Sequence, residues 1–304
     1  MEALAPFVAN MLFFALIIAL CTSTVIALQT KVIVSGAAGR TGSLVLKKLL
    51  AMNDFTPIGI IRTAKSGVKL VKTLKLSPDQ MLEADITDVD KLEKAIKASG
   101  AEKYIMCTSA VPKIKIWSLL WVILLKLFRK VARPEFYYLP KLDPYYVDWL
   151  GAKNQIDAAK SAGITHFVFL SSQGALDPNN YLNTFGKRDG DELSGNILLW
   201  KRKAEQYLIA SGMPYTILHP GGLSDKAGGE NVLVGGINDA FVKAAEKFIP
   251  RADVAEVCIQ SLVEKAAYCR SIDIVANKPV EGGPAITKNW GDFFSGIEGN
   301  CAYP

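Results

Sequence analysis

The stretch from Lys31 to Leu50, KVIVSGAAGRTGSLVLKKLL, narrows the possible folds more than any other part of the chain. A β-branched run ends at Gly36, and Gly39 and Gly42 follow at a G-x-x-G-x-x-G spacing directly before a helical pattern. Glycine permits a tight turn, and a helix N-terminus offers unpaired N–H groups with partial positive charge, which together make an anion site. The next apolar run, PIGII, completes a strand–loop–helix–strand unit, and in that context the spacing signals dinucleotide binding. Ala38, Arg40 and Thr41 fill the loop between the glycines and join Gly36, Gly39 and Gly42 as candidate cofactor contacts.

Short apolar runs continue to alternate with amphipathic stretches, the pattern of a parallel sheet with crossover helices. Strands are expected at KVIVS, PIGII, QMLEA, KYIMCT, HFVFLSS and PYTILH. Helices fit at about 41–52, 89–98, 147–162 and 196–210, with Gly163 and Gly212 closing the last two. The tail, 225–304, starts Gly-rich, then reads as helix, strand (SIDIVA) and helix, and is expected to form a small cap over the ligand crevice. With 50% hydrophobic residues in 304, the chain can bury a large core. A net charge of +6 without a basic block interleaved with aromatics gives no sign of nucleic-acid binding. Five dispersed cysteines without a CxxC pair signal neither a disulfide framework nor a zinc site, and buried thiols are expected.

The end of the second strand indicates which dinucleotide is bound. An NAD site places Asp or Glu there to grip the ribose 2′-hydroxyl, whereas this chain has Arg62, with Lys65 nearby and Arg40 in the glycine loop. Guanidinium groups suit a 2′-phosphate, so the expected cofactor is NADP. Asp85 and Ile86 end the third strand beside the expected adenine. Cys107, Thr108 and Ser109 end the fourth, under the expected ribose and nicotinamide.

Two apolar segments stand outside this pattern. Residues 1–30 carry no charge from Ala3 to Thr30 and are long enough to approach a bilayer core of about 30 Å. They read as a retained anchor or a cleaved leader, with entry into the secretory pathway or a plastid left open. Within the insert 112–145, Ile116 to Phe128 form a helical stretch too short to cross a bilayer comfortably. Flanked by Lys113, Lys115, Lys126, Arg129, Lys130 and Arg133 and carrying Trp117 and Trp121, it is expected at a membrane interface, a buried helix or dimer contact being the alternative.

Taken in order, GAAGRTG, IIRT, ADITD, SAVP, VDWLGAKNQIDAAKSAGITHFVFLSS, WKRKAEQYLIASGMPYTIL, GGL and PRADVAEV resemble the atypical short-chain dehydrogenase/reductases, in their NmrA-like branch of plants and algae. The resemblance covers the chain from Lys31 onward and implies one doubly wound Rossmann domain, 31–304, with strand order 3-2-1-4-5-6. It also implies a reactive Ser and Lys, matched by Ser172 and Lys201. The family's proton-relaying Tyr is replaced by Ile197, which cannot transfer a proton. Tyr145, Tyr146, Tyr181 and His219 are the substitute candidates; His219 stands where relatives often carry Arg. The sequence therefore carries two readings: an NADP(H)-dependent oxidoreductase acting on a hydrophobic carbonyl or alkene near a membrane, or a non-catalytic NADP-binding sensor or scaffold. Oligomeric state is open.

Overall fold

The computed structural model describes residues 29–129 and 132–303, so the N-terminal apolar segment lies outside the described residues except at its last two positions. The central sheet contains β1 (Thr30–Ser35), β2 (Phe55–Ile61), β3 (Met81–Glu83), β4 (Lys103–Met106), β5 (His166–Leu170), β6 (Tyr215–Pro220), β7 (Val232–Gly236) and β8 (Arg270–Asn277). Their order across the sheet is β7-β8-β6-β5-β4-β1-β2-β3. The first six strands thus follow the expected 3-2-1-4-5-6 order, and all pairs are parallel except β7 with β8. The tail strand β8 extends the sheet beside β6, with Asp273 in register with His219.

Alternate residues of the central strands feed two cores, which is why these strands read as nearly continuous apolar runs. Val32, Val34, Ile105, Val168 and Leu170 pack toward α1 (Gly42–Leu50), α2 (Ala64–Leu74) and a long tail helix. Ile33, Tyr104, Met106, Phe167 and Phe169 pack toward α3 (Val89–Ser99), α5 (Ala152–Ser161) and α6 (Ile197–Ala210). The insert contributes α4 (Ile116–Leu127); the tail contributes α7 (Arg251–Val263) and α8 (Trp290–Ser295). Because β1 lies between β2 and β4, the glycine loop leaves the sheet where chain order reverses, the place at which such sheets bind ligands.

The structure departs from the sequence reading in five places, the first being strand β7, which lies in a stretch read only as Gly-rich. Helix α2 was not expected, because only Gly67 and Leu70 of its eleven residues are buried and its apolar stripe is thin. The helix expected from Val147 is a π-helical turn, Tyr145–Gly151, running into α5. The insert's base is a two-residue antiparallel ladder, in which Lys113 and Ile114 pair with Tyr137 and Phe136, and α4 projects from it. Cys258 and Cys301 are buried as expected, but Cys107 is half-buried and Cys269 is exposed. Among the described residues no helix is long and apolar enough to cross a membrane.

Candidate cofactor and substrate crevice

At the glycine loop Gly36 has φ +66°, and a Cβ there would sit 2.8 Å from the Cys107 carbonyl carbon and oxygen, so the loop rests directly on the end of β4. A Cβ at Gly42 would fall 2.3 Å from the Gly36 carbonyl oxygen, which fixes how closely α1 folds back on the loop. The Gly39 N–H donates to the Gly36 carbonyl at 2.8 Å. By contrast, the N–H groups of Ala38, Arg40, Thr41 and Gly42 have no partner among the described residues, and α1 has neither a side-chain cap nor an acidic residue in its first turn. Unpaired amides at an uncapped helix N-terminus fit a pyrophosphate.

The expected cofactor contacts surround that point. Arg62 is exposed just beyond β2, without a side-chain partner among the described residues. Arg40 is also exposed and lies 3.7 Å from Asp225, which in turn pairs with Arg251 at 2.6 Å. One Asp85 carboxylate oxygen accepts from the Thr87 N–H and hydroxyl, at 2.9 and 2.8 Å. Ile86 is tied to α5, because its carbonyl accepts from Asn154 Nδ2 at 2.9 Å.

Beyond β4 the half-buried Cys107 stays a neutral thiol, since burial pushes its pKa up to about 12 against the pull of Lys201. Thr108 Oγ1 accepts from Gln155 Nε2 at 3.1 Å, and the same amide nitrogen holds the Gly151 carbonyl at 2.9 Å. Ser109 donates to Asp148 Oδ1 at 2.9 Å, the Ala110 N–H donates to the other carboxylate oxygen at 3.0 Å, and Lys201 Nζ lies 2.9 Å from Oδ1. The Lys201 and Asp148 side chains are only 6% and 0% exposed, so the lysine is held by a carboxylate buried with it.

Asp148 is the residue the sequence reading missed. Its only sequence signal was its place in VDWLGAKNQ, since its partners lie 39 and 53 residues away. Ser172 is half-buried and donates to the Gln173 carbonyl at 3.1 Å; no hydrogen bond joins it to Lys201. The structure thus groups Ser109 with Lys201 through Asp148, and leaves Ser172 beside rather than within that network.

Ile197 opens α6 one turn before Lys201 and belongs to a small cluster with Ala110, Tyr138 and Val147. Tyr138 is 8% exposed, and its hydroxyl has no hydrogen-bond partner. Burial foremost, then the charges of Asp148 and Asp143, raise its pKa, so the phenol stays protonated. Among the tyrosines expected to substitute, Tyr145 stacks edge-on to Trp200 and to Tyr146, and Tyr181 is partly exposed under Arg133.

His219 lies in a buried charge cluster on the α6 face of the sheet. Its Nε2 is 3.1 Å from Glu205 Oε2, and its Nδ1 is 3.3 Å from Asp273 Oδ1 and 3.4 Å from Cys301 Sγ. Ser171 donates to the other Glu205 oxygen, and Arg202 approaches Glu205 at 3.3 Å. Burial alone would lower the imidazole pKa; Glu205, Asp273 and Cys301 outweigh it and hold the ring well above its ordinary value, as an imidazolium. A charged ring locked between two carboxylates braces α6 against β6 and β8, rather than offering a free proton donor.

The chain matches a family described as NAD(P)H-binding over residues 36–265. It is 40% identical to sanguinarine reductase of Eschscholzia californica over 276 residues, covering 88% of this chain and 95% of that protein. An uncharacterized chloroplastic protein of Arabidopsis thaliana is likewise 40% identical over 269 residues, 88% of this chain and 75% of that protein. Among solved structures, an NAD-dependent epimerase/dehydratase assigned in Bacillus halodurans superposes with a TM-score of 0.57 at 19% identity, covering 82% of this chain and 95% of that one.

Proposed function

The chain belongs to the NAD(P)H-binding family as an NAD(P)H-dependent oxidoreductase, and from that premise we propose that it uses NADPH to reduce a small apolar carbonyl or conjugated alkene. The setting proposed is a plastid membrane surface, since a 40% identical relative is chloroplastic and the insert that follows β4 carries the exposed apolar helix α4. NADP is favoured over NAD by Arg62 and Arg40, both exposed at the rim and neither buried in a strong internal pair. The observation that carries the reductase reading is the buried Lys201–Asp148–Ser109 network at the end of β4, on the helix that borders the crevice.

When bound, NADPH supplies the hydride; the chain's residues hold it and handle polarity. Amides of the glycine loop take the pyrophosphate and Arg62 takes the 2′-phosphate. Lys201, held in place by Asp148, offers its ammonium where negative charge develops on a substrate oxygen. Ile197 contributes only an apolar wall. The phenol beside it is Tyr138, whose unpartnered hydroxyl is the proposed hydrogen-bond donor to that oxygen.

The test is hydride transfer from NADPH deuterated at C4 to a panel of apolar quinones, aldehydes and enones. Deuterium in a product, followed by mass spectrometry, supports the reading; NADPH bound but unconsumed across the panel rejects it in favour of a sensor. Arg62→Asp should lower the preference for NADPH over NADH by about 10- to 100-fold, the scale of one charge-assisted pair. An unchanged ratio would reject the assignment of that arginine.

A further inference from the structure

Helix α4 has more exposed apolar surface than a partner helix could cover. At 3.6 residues per turn, its exposed apolar side chains run from Leu119 through Ile116 and Leu124 to Trp121, an arc of about 200°. Trp117, Trp121 and Leu127 are 79%, 63% and 75% exposed. A packed helix normally buries a stripe of about 100°, and the domain already occupies the other side through Ser118 and Val122. Ser118 Oγ accepts from the Glu135 N–H at 2.8 Å, which pins that inner face to the returning chain. Only a continuous apolar phase wraps an arc this wide.

The charges are arranged to match. On the same helical wheel Lys126 falls about 20° outside Leu119, at the other edge of the apolar arc, while Lys115 and Arg129 flank the two ends of the helix. Lys115 reaches Glu135 at 2.9 Å, while Lys126 and Arg129 have no carboxylate partner among the described residues. Trp117 and Trp121 lie at one border of the arc, where an indole can meet headgroups with its N–H. Twelve residues span about 18 Å, well short of the roughly 30 Å hydrocarbon core, so the helix suits lying along a membrane rather than crossing it.

We infer that α4 docks this protein onto an anionic lipid surface, lying flat with its apolar arc in the acyl boundary and Lys126 and Arg129 among the phosphates. The short ladder at the base of the arm ends one residue before Tyr138, which packs in the cluster with Ile197. Docking therefore turns the proposed substrate entrance toward the lipid. This delivery role rests on the reductase reading, whereas the docking itself does not.

The test uses the full chain with vesicles of phosphatidylcholine and phosphatidylglycerol whose acyl chains are brominated, a contact quencher of tryptophan. Fluorescence of the bound protein should be quenched, and Trp117→Phe with Trp121→Phe should remove most of that quenching while NADPH binding is retained. Lys126→Gln with Arg129→Gln should weaken partition onto these vesicles by about 30-fold, and added salt should do likewise. Three results would overturn the inference. Vesicle attachment without quenching from these two tryptophans would assign attachment to residues 1–28. A dimer by sedimentation with no vesicle binding would assign the arc to a second copy, and a monomer that ignores vesicles would leave it without a lipid role. None of these readouts depends on turnover, so a failed reductase assay and a failed docking assay remain separate results.

Discussion

Replacing Asp148 with asparagine removes one negative charge from a site closed to bulk solvent. The carboxylate is fully buried and accepts from Ser109, the Ala110 N–H and Lys201, and the lysine is almost as deeply buried. Asparagine matches it in size but brings an amide N–H2 toward groups that are all donors, and leaves the Lys201 ammonium without its anion. Breaking a buried pair from one side costs about 3–5 kcal/mol, which for a chain of this size lowers Tm by roughly 5–8 °C. Lys201→Met strands the carboxylate instead and should lose a similar amount. The double variant has neither charge to strand, so it should be more stable than the sum of the two losses predicts, by at least about 2 kcal/mol. Thermal and urea unfolding of the four proteins, read by circular dichroism, complete the cycle. Additivity within about 0.5 kcal/mol would refute the claim that Asp148 and Lys201 sustain each other.

Other residues yield sharp expectations. Gly36→Ala forces a side chain into the left-handed region and against the Cys107 backbone, and should destabilise by about 2–6 kcal/mol with loss of NADPH binding; retained binding in a titration would show that the loop has slack. Tyr138→Phe should leave Tm within about 2 °C, because its hydroxyl has no partner to lose, yet reduce kcat by about 10²-fold or more; an unchanged kcat removes it from the chemistry. His166 is held neutral, burial first and then Lys103 lowering its pKa to about 3. Its folded pKa lies below the unfolded value of about 6.5, so the unfolded state binds more protons and stability falls as pH drops from about 6.5 toward 3, by at most about 1.4 kcal/mol per pH unit. His219 has the opposite sign: its folded pKa is raised, so its contribution is full below about 6.5 and declines as pH rises toward the folded value. His166→Gln, which can still reach Thr216, should flatten the acid limb measured by urea unfolding, and an unaltered limb would reject the assignment.

The parts of this fold legible in the chain were those with local causes. The glycine loop follows from steric and electrostatic demands within seven residues, and the parallel strands from apolar runs long enough to be buried on both faces. Gly163 and Gly212, both at positive φ, end α5 and α6 as their composition suggests. What escaped was set by contacts distant in sequence. VLVGG looked like part of a Gly-rich loop, and becomes strand β7 only because β8 offers it an edge. Asp148 acquires meaning only when α6 brings Lys201 to it. Tyr138 was one aromatic in FYY until the fold removed its hydroxyl from water without a partner. Ile197 was readable from the motif, but the side chains filling the space around it were not.

One carboxylate, Asp225, answers to two guanidinium groups: Arg251 of the tail helix, close and largely buried, and Arg40 of the glycine loop, farther away and open to water. Two such unequal attachments make a hinge pin with one loose end. A contact between groups this exposed is worth at most about 1 kcal/mol, so a nucleotide phosphate arriving at the loop can take Arg40 for itself while Arg251 keeps Asp225 in place. Occupancy of the loop would then free the tail segment on one side only. A charge placed at the glycine loop is therefore felt unequally by the two pairs, the looser one yielding while the tighter one keeps the tail segment anchored to its own helix.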